Sequence, residues 1–127
     1  MDTALRDFCH DINQAGSIKL QYQSNNLQHA AIESNTAISV YRIVQELINN
    51  ILKHAGATTA LVQVNKDDAG IAITVEDDGK GFDTAFLHRS KGMGWSNIHS
   101  RVDYLNGTMD IESTPHKGTS VLIEFPV

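Results

Sequence analysis

Two short runs of alternating apolar and polar residues, 60–64 and 71–75, stand close together in the middle of the chain. Alternation with a period of two is typical of strands that bury one face. The turn-rich segment 66–70 between the two runs predicts a hairpin. Three further strands are predicted at about 17–23, 108–113 and 119–125. Strands that follow one another so closely along a chain favour a largely antiparallel sheet.

Apolar residues at helical spacing predict three helices, over 2–15, over 35–54 and from about 94 to Gly107. Helices mixed with consecutive strands predict an α+β two-layer sandwich. We expect a mixed, mostly antiparallel sheet of about five strands with the three helices on one face. The 127 residues are expected to form one domain, 1–127.

Composition excludes several classes of function. The net charge is −5, from 10 basic and 15 acidic residues, and no basic cluster stands out, which argues against nucleic-acid binding. Cys9 is the only cysteine and the six histidines are scattered, so neither a disulfide framework nor a cysteine zinc site is expected. No apolar run approaches the roughly 18 residues that a membrane span needs. These features favour a soluble chain in the cytoplasm, either free or as the cytoplasmic end of a membrane-anchored protein.

The long helix carries a polar stripe opposite its apolar face. The stripe consists of Arg42, Glu46, Asn50 and Lys53, at i, i+4, i+8 and i+11. The apolar face consists of Val40, Val44, Leu47, Ile48, Ile51 and Ala55.

The polar stripe has two interpretations. A solvated face with Arg42–Glu46 or Glu46–Lys53 ion pairs is one of them. Against it stands the pair Asn49 and Asn50, because asparagine is a poor mid-helix residue and such conflicts concentrate at functional sites. A carboxylate, an amide oxygen and an ammonium on successive turns could instead hold Mg²⁺ and a phosphate chain.

Two glycine motifs follow the hairpin. Asp77-x-Gly79-x-Gly81 comes directly after a strand, and its glycines permit close approach to a flat ligand, while Asp77 can accept a hydrogen bond from an exocyclic amine. An ordinary acidic turn is the alternative. Gly92-Met93-Gly94 opens the third helix, where backbone N–H groups form an anion site. Neither a Rossmann fingerprint nor a Walker P-loop is present. The polar segment 83–91 is predicted to be a mobile lid.

In combination and in order, segments 46–54, 77–83, 92–94 and 118–119 resemble the N, G1, G2 and terminal Gly-Thr motifs of histidine kinase catalytic domains. These domains have the Bergerat ATP-binding fold. The segment 41–46 is similar to the nitrate-sensor subgroup of bacterial two-component sensor kinases.

The resemblance implies ATP and Mg²⁺ as cofactors. On the long helix it implies Glu46 as the catalytic acidic residue, Asn50 as the Mg²⁺ ligand, Lys53 at the phosphates and His54 along the adenine face.

In the glycine motifs the resemblance implies that Asp77 reads the adenine amine, with Gly79 and Gly81 shaping the purine pocket. It also implies that Gly92, Met93 and Gly94 close over the phosphates, and that Thr119 supports Asp77 through a water.

The implied function is transfer of the γ-phosphate of ATP to a histidine on a separate dimerisation hairpin, in two-component signalling through a response regulator receiver domain. The isolated chain is then expected to be a monomer, with homodimerisation through the hairpin. His10 precedes Asp11 in the way of a phosphoacceptor, but with only about fifteen residues before the first predicted strand we expect it not to be one. An anti-sigma-type serine kinase of the same fold and a non-catalytic nucleotide-binding regulatory module remain as alternatives.

Overall fold

A computed structural model describes residues 1–27, 32–81 and 95–127. Its helices are α1 (Asp2–Ala15), α2 (Ser34–Asn50) and α3 (Trp95–Tyr104), and α2 continues into a π-helical turn, Ile51–Ala55. The strands are β1 (Lys19–Asn25), β2 (Thr59–Lys66), β3 (Gly70–Asp77), β4 (Thr108–Thr114) and β5 (Gly118–Pro126). The predicted α+β sandwich with three helices and a five-stranded mixed sheet is confirmed.

The sheet has the strand order β1-β2-β3-β5-β4. β1 pairs in parallel with β2, with Lys19 opposite Thr59, and the other three pairings are antiparallel. A parallel pair needs a crossover connection, and here α2 provides it. The chain between the paired strands therefore includes the helix that carries the polar stripe.

The core lies between the helices and one face of the sheet. On the central strands the buried residues alternate with more exposed ones, as at Val62, Val64, Ile73 and Val75. The apolar stripe of α2 packs against them through residues that include Val40, Val44, Leu47 and Ile48.

The long helix departs from its predicted form in two places. Ile43 is fully buried beside the predicted apolar stripe, because the buried arc of α2 is wider than the residues assigned to it. The last turn, Ile51–Ala55, is π-helical rather than α-helical and ends at Gly56 with a φ of 60°. None of the helices in the described part of the chain is long and apolar enough to span a membrane.

Candidate functional site

Glu46 and Asn50 lie one turn apart on α2 and are both half-buried. The ion pairs expected of a merely solvated face do not form: within residues 1–27, 32–81 and 95–127 the one ion pair is Arg6–Asp2. Arg42 instead donates a hydrogen bond to Gln45 at 3.3 Å. Glu46 is thus left unpaired by its neighbours on the helix.

The amide of Asn50 is incompletely satisfied. Its Nδ2 atom is buried and has no hydrogen-bond partner among the described residues. Leaving a buried donor unpaired costs about 1–3 kcal/mol, so such a group calls for an explanation beyond packing. This N–H group is a donor, so any cation at Asn50 would have to be held by the amide oxygen, Oδ1.

The π-helical turn sets the position of the next two predicted site residues. Lys53 is exposed and His54 is half-buried within it. The α-helical spacing that aligned Lys53 with the stripe extends only to Asn50, because the turn beyond it is wider. The structure therefore groups Glu46 with Asn50, and places Lys53 and His54 on the adjoining turn.

Asp77 ends β3 with a half-buried carboxylate. Burial raises the pKa of this carboxyl group above its ordinary value, and the charge of Asp78 adds to the rise. The backbone of Thr119 and the Gly79 N–H, which donates to Oδ1 of Asp77 at 2.8 Å, act in the opposite direction. Asp77 is thus a fixed acceptor in a poorly hydrated position.

The glycines after Asp77 allow the loop to approach the backbone of other elements closely. A Cβ on Gly79 would lie 2.4 Å from the carbonyl oxygen of Ala55, and one on Gly81, whose φ is 63°, would lie 2.1 Å from that of Thr114. The Lys80 N–H donates to the same Ala55 carbonyl at 2.8 Å, which satisfies one of the free carbonyls at the helix end. The loop 77–81 and the end of the π-helical turn are therefore joined at Ala55.

Gly118 and Thr119 begin β5 beside Asp77. In the β3–β5 register Thr119 lies opposite Asp77, and a Cβ on Gly118 would be 2.2 Å from the Asp77 carbonyl oxygen. The Thr119 hydroxyl forms a hydrogen bond of 2.8 Å with Ser113 Oγ. The terminal Gly-Thr motif thus borders the same site.

Asp78 contributes to the site without having been predicted from the sequence. Its carboxylate accepts hydrogen bonds from the Thr58 N–H at 2.8 Å, the Thr58 hydroxyl at 2.6 Å and the Thr59 N–H at 2.9 Å. These bonds hold the pKa of Asp78 far below its ordinary value of 3.8. Asp78 thereby ties the end of β3 to the beginning of β2, and so positions its neighbour Asp77.

Asp78→Asn is expected to lower the free energy of unfolding at pH 7, because hydrogen bonds to an ionised acceptor are the stronger kind. The pKa of Asp78 is lower in the folded state, so its stabilising contribution is fully present above the ordinary value of 3.8 and is lost as the pH falls below that value. The difference from wild type in urea unfolding should therefore shrink on acidification.

Asp68→Asn is the matched control, since Asp68 is an exposed aspartate in the β2–β3 turn. It should unfold like the wild type at every pH. Equal stability of Asp78→Asn and wild type at pH 7 would show that the three hydrogen bonds do not hold the loop.

Gly92, Met93 and Gly94, with the predicted lid 83–91, lie outside the described residues. The anion site and the mobility expected there remain predictions.

The site offers few side chains that could bind a metal ion, which is compatible with Mg²⁺. The described ranges contain no group of three or more His, Cys, Asp or Glu side chains that could hold a metal ion. Mg²⁺ does not require one, because it is usually held by one or two protein oxygens together with substrate phosphates and waters. The amide oxygen of Asn50 and the carboxylate of Glu46, which forms no ion pair within the described ranges, are oxygen ligands of that kind, one turn apart on α2.

Residues 35–127 match the histidine kinase-, DNA gyrase B- and HSP90-like ATPases, and the chain belongs to this family. It is 37% identical over 101 residues to the sensor histidine kinase YdfH of Bacillus subtilis, covering 78% of the chain and 25% of that protein. It is 28% identical over 127 residues to the oxygen sensor histidine kinase NreB of Staphylococcus carnosus, covering 100% of the chain and 36% of that protein. The chain thus spans about a quarter to a third of these relatives.

Solved structures agree on the fold. The histidine kinase domain of the blue-light activated histidine kinase of Erythrobacter litoralis matches with a TM-score of 0.78 and 24% identity, over 98% of this chain and 60% of that one. The ATP-binding domain of PrrB from Mycobacterium tuberculosis matches with a TM-score of 0.73 and 21% identity, over 98% and 89%. The resemblance to sensor histidine kinase catalytic domains is confirmed.

Proposed function

We propose that this chain binds Mg-ATP between the end of α2 and the loop 77–81, and transfers the γ-phosphate to a histidine on a separate domain. The observation that carries the proposal is the half-buried Asp77 carboxylate, held by the Gly79 N–H beside the end of the long helix. Its family and its sensor kinase relatives support the same reaction.

Asp77 accounts for the choice of base. A fixed carboxylate accepts a hydrogen bond from the exocyclic amine of adenine, whereas guanine presents a carbonyl oxygen at that edge. Two acceptors would then face each other in a desolvated place, which is costly. Ala55 occupies the space that a Gly79 side chain would need, so the loop that holds Asp77 lies directly against the end of the long helix.

Asn50 and Glu46 would act on the phosphate groups of the bound ATP. Bound through the Asn50 amide oxygen, Mg²⁺ would neutralise charge on the ATP phosphates. In the transfer, a histidine nitrogen forms a bond to the γ-phosphorus while the bond to the β-phosphate oxygen breaks and ADP leaves. Glu46, one turn before Asn50, offers a carboxylate that can take the proton released by the attacking imidazole.

Lys53 and His54 complete the proposed pocket from the π-helical turn. The exposed Lys53 ammonium is free to extend to the phosphates, and the half-buried His54 would lie along the purine. The proposed partners are a histidine-bearing hairpin, which accepts the phosphate, and a receiver domain, which takes it from the hairpin.

The acceptor is proposed to lie outside this chain because α1 is committed to the fold. Leu5 and Cys9 of α1 are buried in the core. Asn13 of α1 accepts a hydrogen bond from the Leu20 N–H at 2.6 Å, and its amide donates to the Leu20 carbonyl. The exposed His10 thus lies on a helix fixed to the sheet, which cannot form a separate bundle.

The test is calorimetric titration with ATP, ADP and GTP, with and without Mg²⁺, followed by incubation with γ-labelled ATP and a histidine hairpin supplied in trans. We expect Mg²⁺-dependent ATP binding, and acid-labile label on the hairpin but not on the chain alone. His10→Gln is the control and should behave as the wild type. Binding without any transfer would favour a non-catalytic module, and acid-stable label on serine would favour a serine kinase.

A further inference from the structure

A surface groove of about 500 Å³ lies between the N-terminal half of α2 and α3. It is lined by Ile38 and Ser39 of α2 and by Asn97, Ser100, Arg101 and Tyr104 of α3. The α3 residues are spaced i, i+3, i+4 and i+7, so they form one face of that helix. We call this surface the α2–α3 groove; none of the site residues discussed above lines it.

Arg101 gives the groove an unsatisfied positive charge. The side chain is half-buried, and its Nε is buried without a hydrogen-bond partner among the described residues. No carboxylate in the described ranges forms an ion pair with it. A guanidinium presents its N–H donors in a planar fork that matches a carboxylate, which makes an acidic group the complementary ligand.

Two of the side chains that line the groove are large, hydrophobic and exposed. Ile38 is 56% exposed and Tyr104 is 64% exposed, and these are two of the four large hydrophobic side chains exposed in the described part of the chain. Arginine and tyrosine are enriched where proteins bind one another, especially at energetically dominant positions. An open groove that combines both with an exposed isoleucine suits a polypeptide segment with apolar side chains around an acidic one.

The position of the groove relates it to the proposed transfer. Ser39 in the groove, Glu46 and Asn50 are spaced i, i+7 and i+11, so the groove face of α2 continues as the polar stripe. At about 1.5 Å per residue, Ser39 and Asn50 are separated by about 16 Å along the helix. A polypeptide seated in the groove therefore has a short path along α2 to the phosphate end of the proposed nucleotide site.

We propose that the α2–α3 groove docks the polypeptide that carries the phosphoacceptor histidine, with one of its carboxylates paired to Arg101 and apolar side chains against Ile38 and Tyr104. This inference rests on the proposed function. It names the surface through which the acceptor is held, and so makes Arg101 and Tyr104 positioning residues rather than catalytic ones.

The experiment is steady-state phosphotransfer from Mg-ATP to a histidine hairpin supplied in trans. Arg101→Gln and Tyr104→Ser should each raise the KM for the hairpin about tenfold or more, because both remove binding that is made before and during transfer. kcat at saturating hairpin and the Kd for Mg-ATP should stay at their wild-type values. The exposed Arg6→Gln, on α1, is the matched control and should leave KM unchanged.

A charge exchange identifies the partner group. Arg101→Glu should be defective with the native hairpin, and one acidic-to-lysine variant of the hairpin should restore its KM. Failure of every exchange would overturn the carboxylate pairing.

Other outcomes are equally decisive. An unchanged KM in both groove variants overturns the proposal, and so does a weakened Kd for Mg-ATP, which would assign Arg101 to the nucleotide site. A defect confined to later transfer from the hairpin to a receiver domain would assign the groove to that domain instead. If the wild type itself transfers nothing, the proposed function fails, and this result is distinct from selective loss in the variants.

Discussion

Asn50→Ala is expected to remove the Mg²⁺-dependent part of ATP affinity and to lower phosphotransfer by about a hundredfold or more, since even the supporting partners of metal ligands are worth about 10–100-fold. The contact between Asp77 and adenine should survive, so affinity measured without Mg²⁺ should change little. The measurement is calorimetry with ATP in the presence and absence of Mg²⁺, followed by the transfer assay.

Loss of folding cannot account for this result. Alanine is the better helix former, and the substitution also removes the buried, unpaired Nδ2. Asn49→Ala is the matched control, because it makes the same change at the adjacent position on another side of α2. Wild-type Mg-ATP affinity in Asn50→Ala would reduce the polar stripe to a solvated face.

Asp77→Asn is expected to weaken ATP binding by about 1–3 kcal/mol, the range for losing a partner from a buried polar contact, and to narrow the preference for ATP over GTP. An amide can donate to the guanine carbonyl as well as accept, so the variant should tolerate guanine better than the wild type does. Competition between ATP and GTP measures the change. Glu76→Gln, one residue earlier and on the opposite face of the sheet, is the control.

The same contact should depend on pH. Burial raises the pKa of Asp77 above 3.8, so protonation begins at a higher pH than for an ordinary aspartate. Adenine preference in the wild type should weaken as the pH falls towards that range, while Asp77→Asn should lack this dependence. Equal affinity of the wild type for ATP and GTP would contradict the role of Asp77 altogether.

The sheet was predictable because its signal is local. Alternation over 60–64 and 71–75 defined β2 and β3, and the two paired strands extend only a few residues beyond those runs. Gly79 was predicted to allow close approach to a flat ligand. Its close approach to the carbonyl of Ala55 depends on tertiary structure and was not predicted.

What the sequence did not predict depends on contacts between distant segments. Asp78 looked like part of an acidic turn, because its partner Thr58 lies 20 residues earlier and becomes adjacent only through strand register. The π-helical turn Ile51–Ala55 was not predicted, because the apolar spacing was compared with that of an α-helix over the whole segment. The α2–α3 groove required two helices to be placed side by side before Arg101 stood out.

The parallel pairing of β1 with β2 affects how this chain folds. The side-chain bond between Asn25 and Asn65 joins residues 40 apart, and the whole of α2 lies within the loop that this pairing closes. Closing a loop lowers the conformational entropy of the chain before stabilising contacts form. Long-range pairings of this kind therefore slow folding. Because α2 lies within that loop, Asn50 and Asp77 reach their relative positions only when the whole domain folds. A fragment that formed early would not contain both in place. ATP would then bind only the completed chain, and each bound nucleotide would favour that state over the unfolded one by mass action.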